Sequence, residues 1–217
     1  MKLPEPPLLL VTDRRQARRP LAEIVAMAMT AGCRWVSLRE KDLPEDEQIL
    51  LARSLLPAIR RHGAKLTIHG GPDLARKLTG LDGVHLPSGS NAAAARVAIG
   101  RNGLVGLSVH TASEAQTIDP AFVDYALAGP AFETPSKPGY GPEIGRKGLA
   151  ELARIAPVPL LAIGGINTVR VAEIMAAGCS GIGVMGAVMR AADPGREVAA
   201  LIASLEGSLT IRARGRS

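Results

Sequence analysis

Aromatic side chains are scarce in this 217-residue sequence, which has one tryptophan, two tyrosines and two phenylalanines. Proteins that hold single-stranded nucleic acid stack its bases on aromatic rings. The net charge of +6 at pH 7 therefore does not predict a nucleic-acid-binding protein. Much of the arginine lies near the two ends of the chain. This is typical of a solvated basic surface, whose general field favours small anions.

Cysteine is scarce too. Cys33 and Cys179 each follow an Ala-Gly pair and lack the spacing of metal ligands, so we interpret both as reduced packing residues. No apolar run approaches the length of a membrane span, and no signal-peptide pattern precedes the first predicted strand. We therefore expect a cytoplasmic protein that binds neither membrane nor nucleic acid.

Small apolar residues and glycine are abundant, and they form short strand patterns that alternate with helical ones. The predicted strands are Leu8–Asp13, Trp35–Glu40, Lys65–Gly70, Gly83–Pro87, Leu104–His110, Tyr125–Gly129, Leu160–Gly165 and Gly181–Gly186. The predicted helices are Leu21–Ala31, Glu45–Arg61, Asp73–Leu78, Asn91–Ile99, Ser113–Ile118, Lys147–Ile155, Val169–Ala176 and Glu197–Leu205. Eight alternations without a break in composition predict one α/β domain over residues 1–217, a closed, parallel, eight-stranded (β/α)8 TIM barrel. An open doubly wound sheet is the alternative, and residues 210–217 are expected to form a frayed basic tail.

The last two predicted strands end in glycines, in Ala162–Asn167 and in Gly181–Ala187. Glycine lets backbone N–H groups approach a ligand closely, and these segments lead into helices. Barrels of this kind often hold a substrate phosphate in this place. We therefore predict a phosphate site formed by the backbone around Gly164, Gly165, Met185 and Gly186.

The second strand places Ser37, Arg39 and Lys41 on one side and Val36 and Leu38 on the other. Helices cover the outside of a barrel, so the polar residues are expected to face inward. Two cations near the mouth are suited to binding a phosphate or diphosphate. The alternative is an internal ion pair with Glu40 or Asp42.

Other candidate residues lie at strand ends and in one long loop. The same alternation brings His69 inward at the mouth, where an imidazole could move a proton, whereas we interpret His85 and His110 as structural. The segment between Pro130 and Arg146 contains Thr134, Ser136 and Lys137. Connections of this length often cover an active site, so we predict a ligand lid.

Almost the whole chain resembles thiamine phosphate synthase and its sister enzyme, the thiazole tautomerase of thiamine biosynthesis. The matching segments are Val11–Asp13, Leu38–Lys41, Asp82–Leu86, Gly106–Thr111, Asp124–Tyr125 through Gly129–Pro130, Thr134–Lys137 and Ala162–Asn167. The resemblance implies that a pyrimidine diphosphate loses its diphosphate and that a thiazole nitrogen attacks the resulting cation.

The resemblance also implies roles for individual residues. Arg39, Lys41 and Lys137 correspond to cations that bind the diphosphate, and Ser108 corresponds to a residue near the reacting centre. The residues that correspond to the shell around the thiazole phosphate are Thr134, Ser136, Gly165, Val184 and Met185.

Two departures concern metal binding. The synthase has an Asn-Asp pair at the end of the third strand, where this chain has His69 and Gly70, and an acidic residue after the fourth strand, where this chain has Ser90. Both carboxylates that hold magnesium in the family are therefore absent. Magnesium is the cofactor that the resemblance implies, and its usual ligands are missing from the sequence.

Other departures concern the sister enzyme. Leu86–Ser90 and Phe132–Thr134 are similar to the tautomerase, but its catalytic histidine corresponds to Pro130 here. Three functions stay open. The first is a transferase, a thiamine phosphate synthase whose metal is held differently or whose cations suffice. The second is an isomerase, a thiazole phosphate tautomerase with His69 as base, and the third is a non-catalytic binder or an enzyme acting on a related phosphorylated heterocycle. In each case we expect small phosphorylated molecules as partners, and we allow for a homodimer.

Overall fold

The barrel is built from short strands whose apolar residues are buried on both faces, as parallel strands covered by helices require. The computed structural model describes residues 3–77, 80–134 and 142–214, and only the backbone of residues 212–214. The strands are Leu8–Val11 (β1), Trp35–Leu38 (β2), Lys65–His69 (β3), Gly83–Leu86 (β4), Leu104–Val109 (β5), Tyr125–Ala128 (β6), Leu160–Ile163 (β7) and Gly181–Val184 (β8). All pair in parallel, and β8 pairs with β1 to close the barrel. The predicted (β/α)8 barrel is confirmed.

Helices follow each strand and cover the outside. They are Leu21–Thr30 (α1), Glu45–Arg61 (α2), Pro72–Lys77 (α3), Ala92–Ile99 (α4), Ala112–Gln116 (α5), Gly145–Ile155 (α6), Thr168–Ala176 (α7), Gly186–Met189 (α8) and Pro194–Arg214 (α9). The sequence does not predict α8 or the 3-10 turn over Arg14–Gln16. Four residues are too few to show a helical period, which is why the pattern misses α8. No helix among the described residues is long and apolar enough to cross a bilayer.

Strand residues alternate between two apolar layers. Leu10, Val36 and Leu38 pack outward against the helices, as predicted for Val36 and Leu38. A smaller inner cluster contains Leu9 and Trp35, together with residues of β5, β6 and β7. Among the described residues this cluster fills the barrel below its mouth, so the space for a ligand is expected at the end at which the strands finish.

Helix α9 continues to Arg214, so the expected frayed tail from Thr210 is wrong for residues 210–214. The apolar spacing of its buried face, which includes Leu205, extends to Leu209, which packs on the core. The Ser208 hydroxyl donates to the Ser204 carbonyl at 2.8 Å, and the Thr210 hydroxyl donates to the Glu206 carbonyl at 2.9 Å. Polar and basic residues are therefore compatible with continued helix here, because one face still packs.

An ion pair beneath the barrel joins Arg96 of α4 to Asp124, just before β6. The two side chains are 14% and 11% exposed, and their N and O atoms lie 2.5 Å apart. The same carboxylate oxygen of Asp124 accepts from the backbone N–H of Val105 at 2.7 Å. Asp124 thus links a helix to two neighbouring strands.

We expect Asp124→Ala to lower the free energy of unfolding by about 3 kcal/mol, because it leaves a largely buried arginine without its counter-charge. Urea denaturation followed by circular dichroism measures this. The control is Asp73→Ala, which breaks the exposed pair with Arg76 and should change stability little. Equal effects of the two substitutions would contradict a special role for Asp124.

Candidate active site

A cavity of about 1020 Å³ opens at the carboxyl ends of the strands. Its lining includes residues from strand ends around the barrel, as expected for this fold. Most of the predicted site residues line it: Arg39, Lys41, His69, Ser108, Thr134, Gly164, Gly165, Val184, Met185 and Gly186. Ser37 lies inside the barrel, fully buried, and does not line the cavity. Ser136 and Lys137 lie outside the described residues.

Glu40 and Asp42 are the carboxylates nearest to Arg39 and Lys41 in the sequence, and both bind other groups. Glu40 is 1% exposed and accepts from the Thr12 hydroxyl at 2.6 Å and from the backbone N–H of Arg14 at 3.0 Å. The Arg14 side chain pairs with Asp42 at 2.7 Å. The alternative that Glu40 or Asp42 neutralises the cations is therefore wrong.

Arg39 and Lys41 form no ion pair with any residue that the structure describes. Lys41 is exposed at the rim, yet partial removal of its ammonium group from water lowers its pKa, and the charge of Arg39 lowers it further. Two like charges without a counter-ion generate a positive potential at this side of the mouth. An anionic ligand would relieve it.

The glycine turn after β7 has a backbone that few other residues could adopt. Gly164 and Gly165 have φ of 102° and 64°. A Cβ atom at Gly165 would also lie 2.5 Å from the carbonyl oxygen of Glu133. Since both conformation and space require glycine, this turn brings bare backbone to the cavity wall.

The N–H groups of Gly165 and Gly186 donate to no backbone carbonyl in the turns, loops and caps of the described chain. Both residues line the cavity, Gly165 after β7 and Gly186 at the start of α8 after β8. Two strand ends thus present backbone donors to the same space. This arrangement suits a phosphate group.

Arg170 supports this turn and was not predicted from the sequence. Its guanidinium donates to the Gly165 carbonyl at 2.8 Å and lies 4.3 Å from the centre of the Phe132 ring. It stands three residues after Asn167, whose side chain accepts from its N–H and caps α7. The helix-capping Asn167 is the one sequence signal that could have placed Arg170 in the first turn of α7. Arg170 therefore connects the β7 turn to the loop after β6.

His85 is buried in the inner layer. Its Nδ1 lies 3.1 Å from the Tyr125 hydroxyl and its Nε2 lies 2.9 Å from Ser108 Oγ. Burial lowers the pKa of His85 to about 3, with contributions from the charges of Lys41 and Arg39. The His69 ring lies against it, with centroids 4.4 Å apart. His85 is therefore a neutral imidazole in the floor of the cavity, with no exposed surface of its own.

This burial predicts that stability depends on pH. The folded pKa of about 3 is below the ordinary 6.5, so the unfolded chain binds more protons between these values and acid favours unfolding. We expect His85 to account for about 1.6 kcal/mol of the stability lost between pH 6.5 and pH 5. Urea denaturation at both pH values measures the loss, with His85→Gln as comparison. An equally steep loss in the variant would contradict this assignment.

The residues present do not fit a magnesium ion. Gly70 lines the cavity but offers no ligand, and Ser90 lies in a turn outside the cavity lining. Of the lining carboxylates, Glu45 pairs with Lys77, and the remaining one is Glu133. The described chain holds no group of three acidic, histidine or cysteine side chains able to bind a metal. Residues 135–141 contain no acidic residue in the sequence. Magnesium binding needs several oxygen ligands in near-octahedral geometry.

A family model described as thiamine monophosphate synthase matches residues 8–188. The chain is 40% identical over 207 residues to a thiamine-phosphate synthase of Roseiflexus sp. (strain RS-1), covering 94% of this chain and 87% of that protein. A thiamine-phosphate synthase of Moorella thermoacetica is 34% identical over 209 residues, covering 96% and 97%. The solved structure of a thiamine phosphate pyrophosphorylase from Pyrococcus furiosus superimposes with a TM-score of 0.81 at 30% identity, covering 93% of this chain and 96% of that one.

Proposed function

Since this chain belongs to the thiamine monophosphate synthase family, we propose that it is a transferase that joins a pyrimidine diphosphate to a thiazole phosphate and releases diphosphate. Among the three functions that the sequence leaves open, the names of the relatives agree with this one. The tautomerase has no comparable support, and the position of its catalytic histidine is Pro130, which lines the cavity without a titratable group.

One observation carries the proposal. Arg39 and Lys41, without ion-pair partners among the described residues, line the same cavity as the glycine turns at Gly165 and Gly186. The cations suit a diphosphate, and the backbone donors suit a monophosphate. A cavity with two anion sites fits a reaction between two phosphorylated molecules.

In the reaction, the bond between the pyrimidine methylene carbon and the diphosphate oxygen breaks, and its electron pair leaves with the diphosphate. The thiazole nitrogen then donates its lone pair to the methylene cation, and the ring becomes a thiazolium. Arg39 and Lys41 would stabilise the charge that develops on the leaving group. Lys137 is predicted to share in this stabilisation, and it lies outside the described part of the chain.

The thiazole phosphate would bind at the turns after β7 and β8, against the backbone of Gly164, Gly165, Met185 and Gly186. Thr134 lines the cavity beside Glu133, and we propose that it contributes its hydroxyl. Val184 is 2% exposed and forms part of the wall. Because magnesium does not fit the lining, we derive no step through a metal, and the positively charged side chains carry the stabilisation of the diphosphate.

The direct test incubates the protein with thiazole phosphate and the pyrimidine diphosphate, with and without magnesium. Thiamine phosphate and diphosphate are measured together by chromatography and a coupled phosphate assay. We expect equal amounts of both products. A protein that releases no diphosphate under either condition would contradict the synthase function.

We expect Gly165→Val to weaken thiazole phosphate binding strongly, because a side chain there meets the Glu133 carbonyl and the backbone conformation favours glycine. Isothermal titration calorimetry measures the affinity, and circular dichroism checks that the barrel is retained. Gly63→Val serves as control, since Gly63 also has positive φ but lies in open space at the end of α2. Unchanged affinity in Gly165→Val would exclude the phosphate site at this turn.

We expect Arg39→Met and Lys41→Met each to cost about 1.5–3 kcal/mol in binding a ligand that carries diphosphate, the usual contribution of a charge-assisted hydrogen bond. Binding of thiazole phosphate alone should change much less. The control is Arg101→Met, which removes one positive charge from an exposed loop before β5. Equal losses for both ligands would show that the two cations are structural.

Other expectations stay predictions: a cytoplasmic location, the absence of nucleic-acid and membrane partners, and assembly as a homodimer. Size-exclusion chromatography with light scattering tests the last of them.

A further inference from the structure

Four interior residues on consecutive strands are register partners and form one layer. The strand register pairs His69 of β3 with His85 of β4, His85 with Gly106 of β5, and Gly106 with Tyr125 of β6. Three of the four carry rings, and the fourth has no side chain. This layer is the floor beneath the cavity.

Gly106 makes room for the contact between the two rings on either side of it. A Cβ atom there would lie 2.1 Å from Cζ of Tyr125 and 2.5 Å from Nδ1 of His85. Any other residue would therefore separate His85 from Tyr125. The missing side chain on β5 is what allows the hydrogen bond between β4 and β6.

The hydrogen bonds of this layer form a chain that ends at the cavity. The Tyr125 hydroxyl lies 3.1 Å from His85 Nδ1, and His85 Nε2 lies 2.9 Å from Ser108 Oγ. His85 and Tyr125 are fully buried, whereas Ser108 is partly exposed; both His85 and Ser108 line the cavity. Ser108 is therefore the member of the chain with surface open to a ligand.

The chemistry of the three groups gives the chain a direction. A phenol is a better donor than acceptor, so we expect the Tyr125 hydroxyl to donate to Nδ1 of the neutral imidazole. The remaining imidazole proton is then on Nε2 and is donated to Ser108 Oγ. Since Ser108 accepts there, its own hydroxyl hydrogen is left to point into the cavity.

We propose that His85 and Tyr125 are positioning residues, which hold Ser108 Oγ as a hydrogen-bond donor toward an acceptor atom of the bound substrate. This rests on the proposed function, in which the cavity binds two phosphorylated substrates. The sequence indicates a structural role for His85, and the proposal adds a positioning role to it. Its ring does not touch substrate, but it decides whether Ser108 offers a proton or a lone pair.

The first measurement needs no turnover. In protein labelled with 15N at histidine, two-bond proton–nitrogen correlations distinguish the tautomers. We expect His85 as the Nε2–H tautomer in the wild-type protein, and a loss of this preference in Tyr125→Phe. A predominant Nδ1–H tautomer in the wild-type protein would overturn the proposal, whatever the enzyme's activity.

The second measurement uses kinetics. We expect His85→Leu to lower kcat about 10- to 100-fold, as loss of alignment commonly does. His85→Gln, whose amide can still donate to Ser108, should recover most of this loss. In a Ser108→Ala background, His85→Leu should have little further effect, because the group it positions is gone. Exposed His62→Leu is the matched control.

These outcomes separate the two proposals. Additive losses in the double variant, or a His85→Gln variant as impaired as His85→Leu, would show that His85 only fills space and would overturn the positioning role. A wild-type protein that forms no thiamine phosphate contradicts the synthase function instead. In that case the tautomer measurement still decides the direction of the hydrogen-bond chain.

Discussion

The buried carboxylate of Glu40 determines how charge is distributed at the mouth of the barrel. It stands between Arg39 and Lys41 in the chain, yet it turns toward the end of β1, where Thr12 and the backbone of Arg14 donate to it. The Thr12 hydroxyl also accepts from the N–H of Arg39 at 2.9 Å. The same contacts therefore join the ends of β1 and β2 and keep the negative charge away from the cavity. The two neighbouring cations are left to an incoming anion.

The alternating pattern predicted the barrel well because each strand has one face toward the helices and one toward the interior. All eight predicted strands begin where the structure has them, but each extends one or two residues too far. Most of those extra residues, such as Gly164 and Gly165, line the cavity instead. A period of two cannot indicate where a strand stops pairing, because glycines and polar residues suit both a strand end and a turn.

The site was predictable where one residue type has one plausible task, as with Arg39, Lys41 and the glycine turns. It was less predictable where residues act through contacts between distant segments. Arg170 and Phe132 are 38 positions apart in the sequence (170 − 132). Nothing in either segment indicates that the two side chains are in contact. Ser37 shows the opposite error: the alternation places it inside the barrel correctly, but it lies too deep to line the cavity.

Glycine also determines the shape of the interior, by its position among the strands. Among the interior positions, β5 contributes Gly106, and β8, three strands further around the barrel, contributes Gly183, where a Cβ atom would come within 3.0 Å of Leu127 and 3.2 Å of Ile163. Side chains of adjacent strands occupy the space that a side chain at each glycine would fill. The floor is therefore uneven rather than a flat ring of equal residues. The interior surface therefore has no rotational symmetry about the barrel axis. The choice of two residues without side chains thus gives a nearly symmetric scaffold a defined orientation.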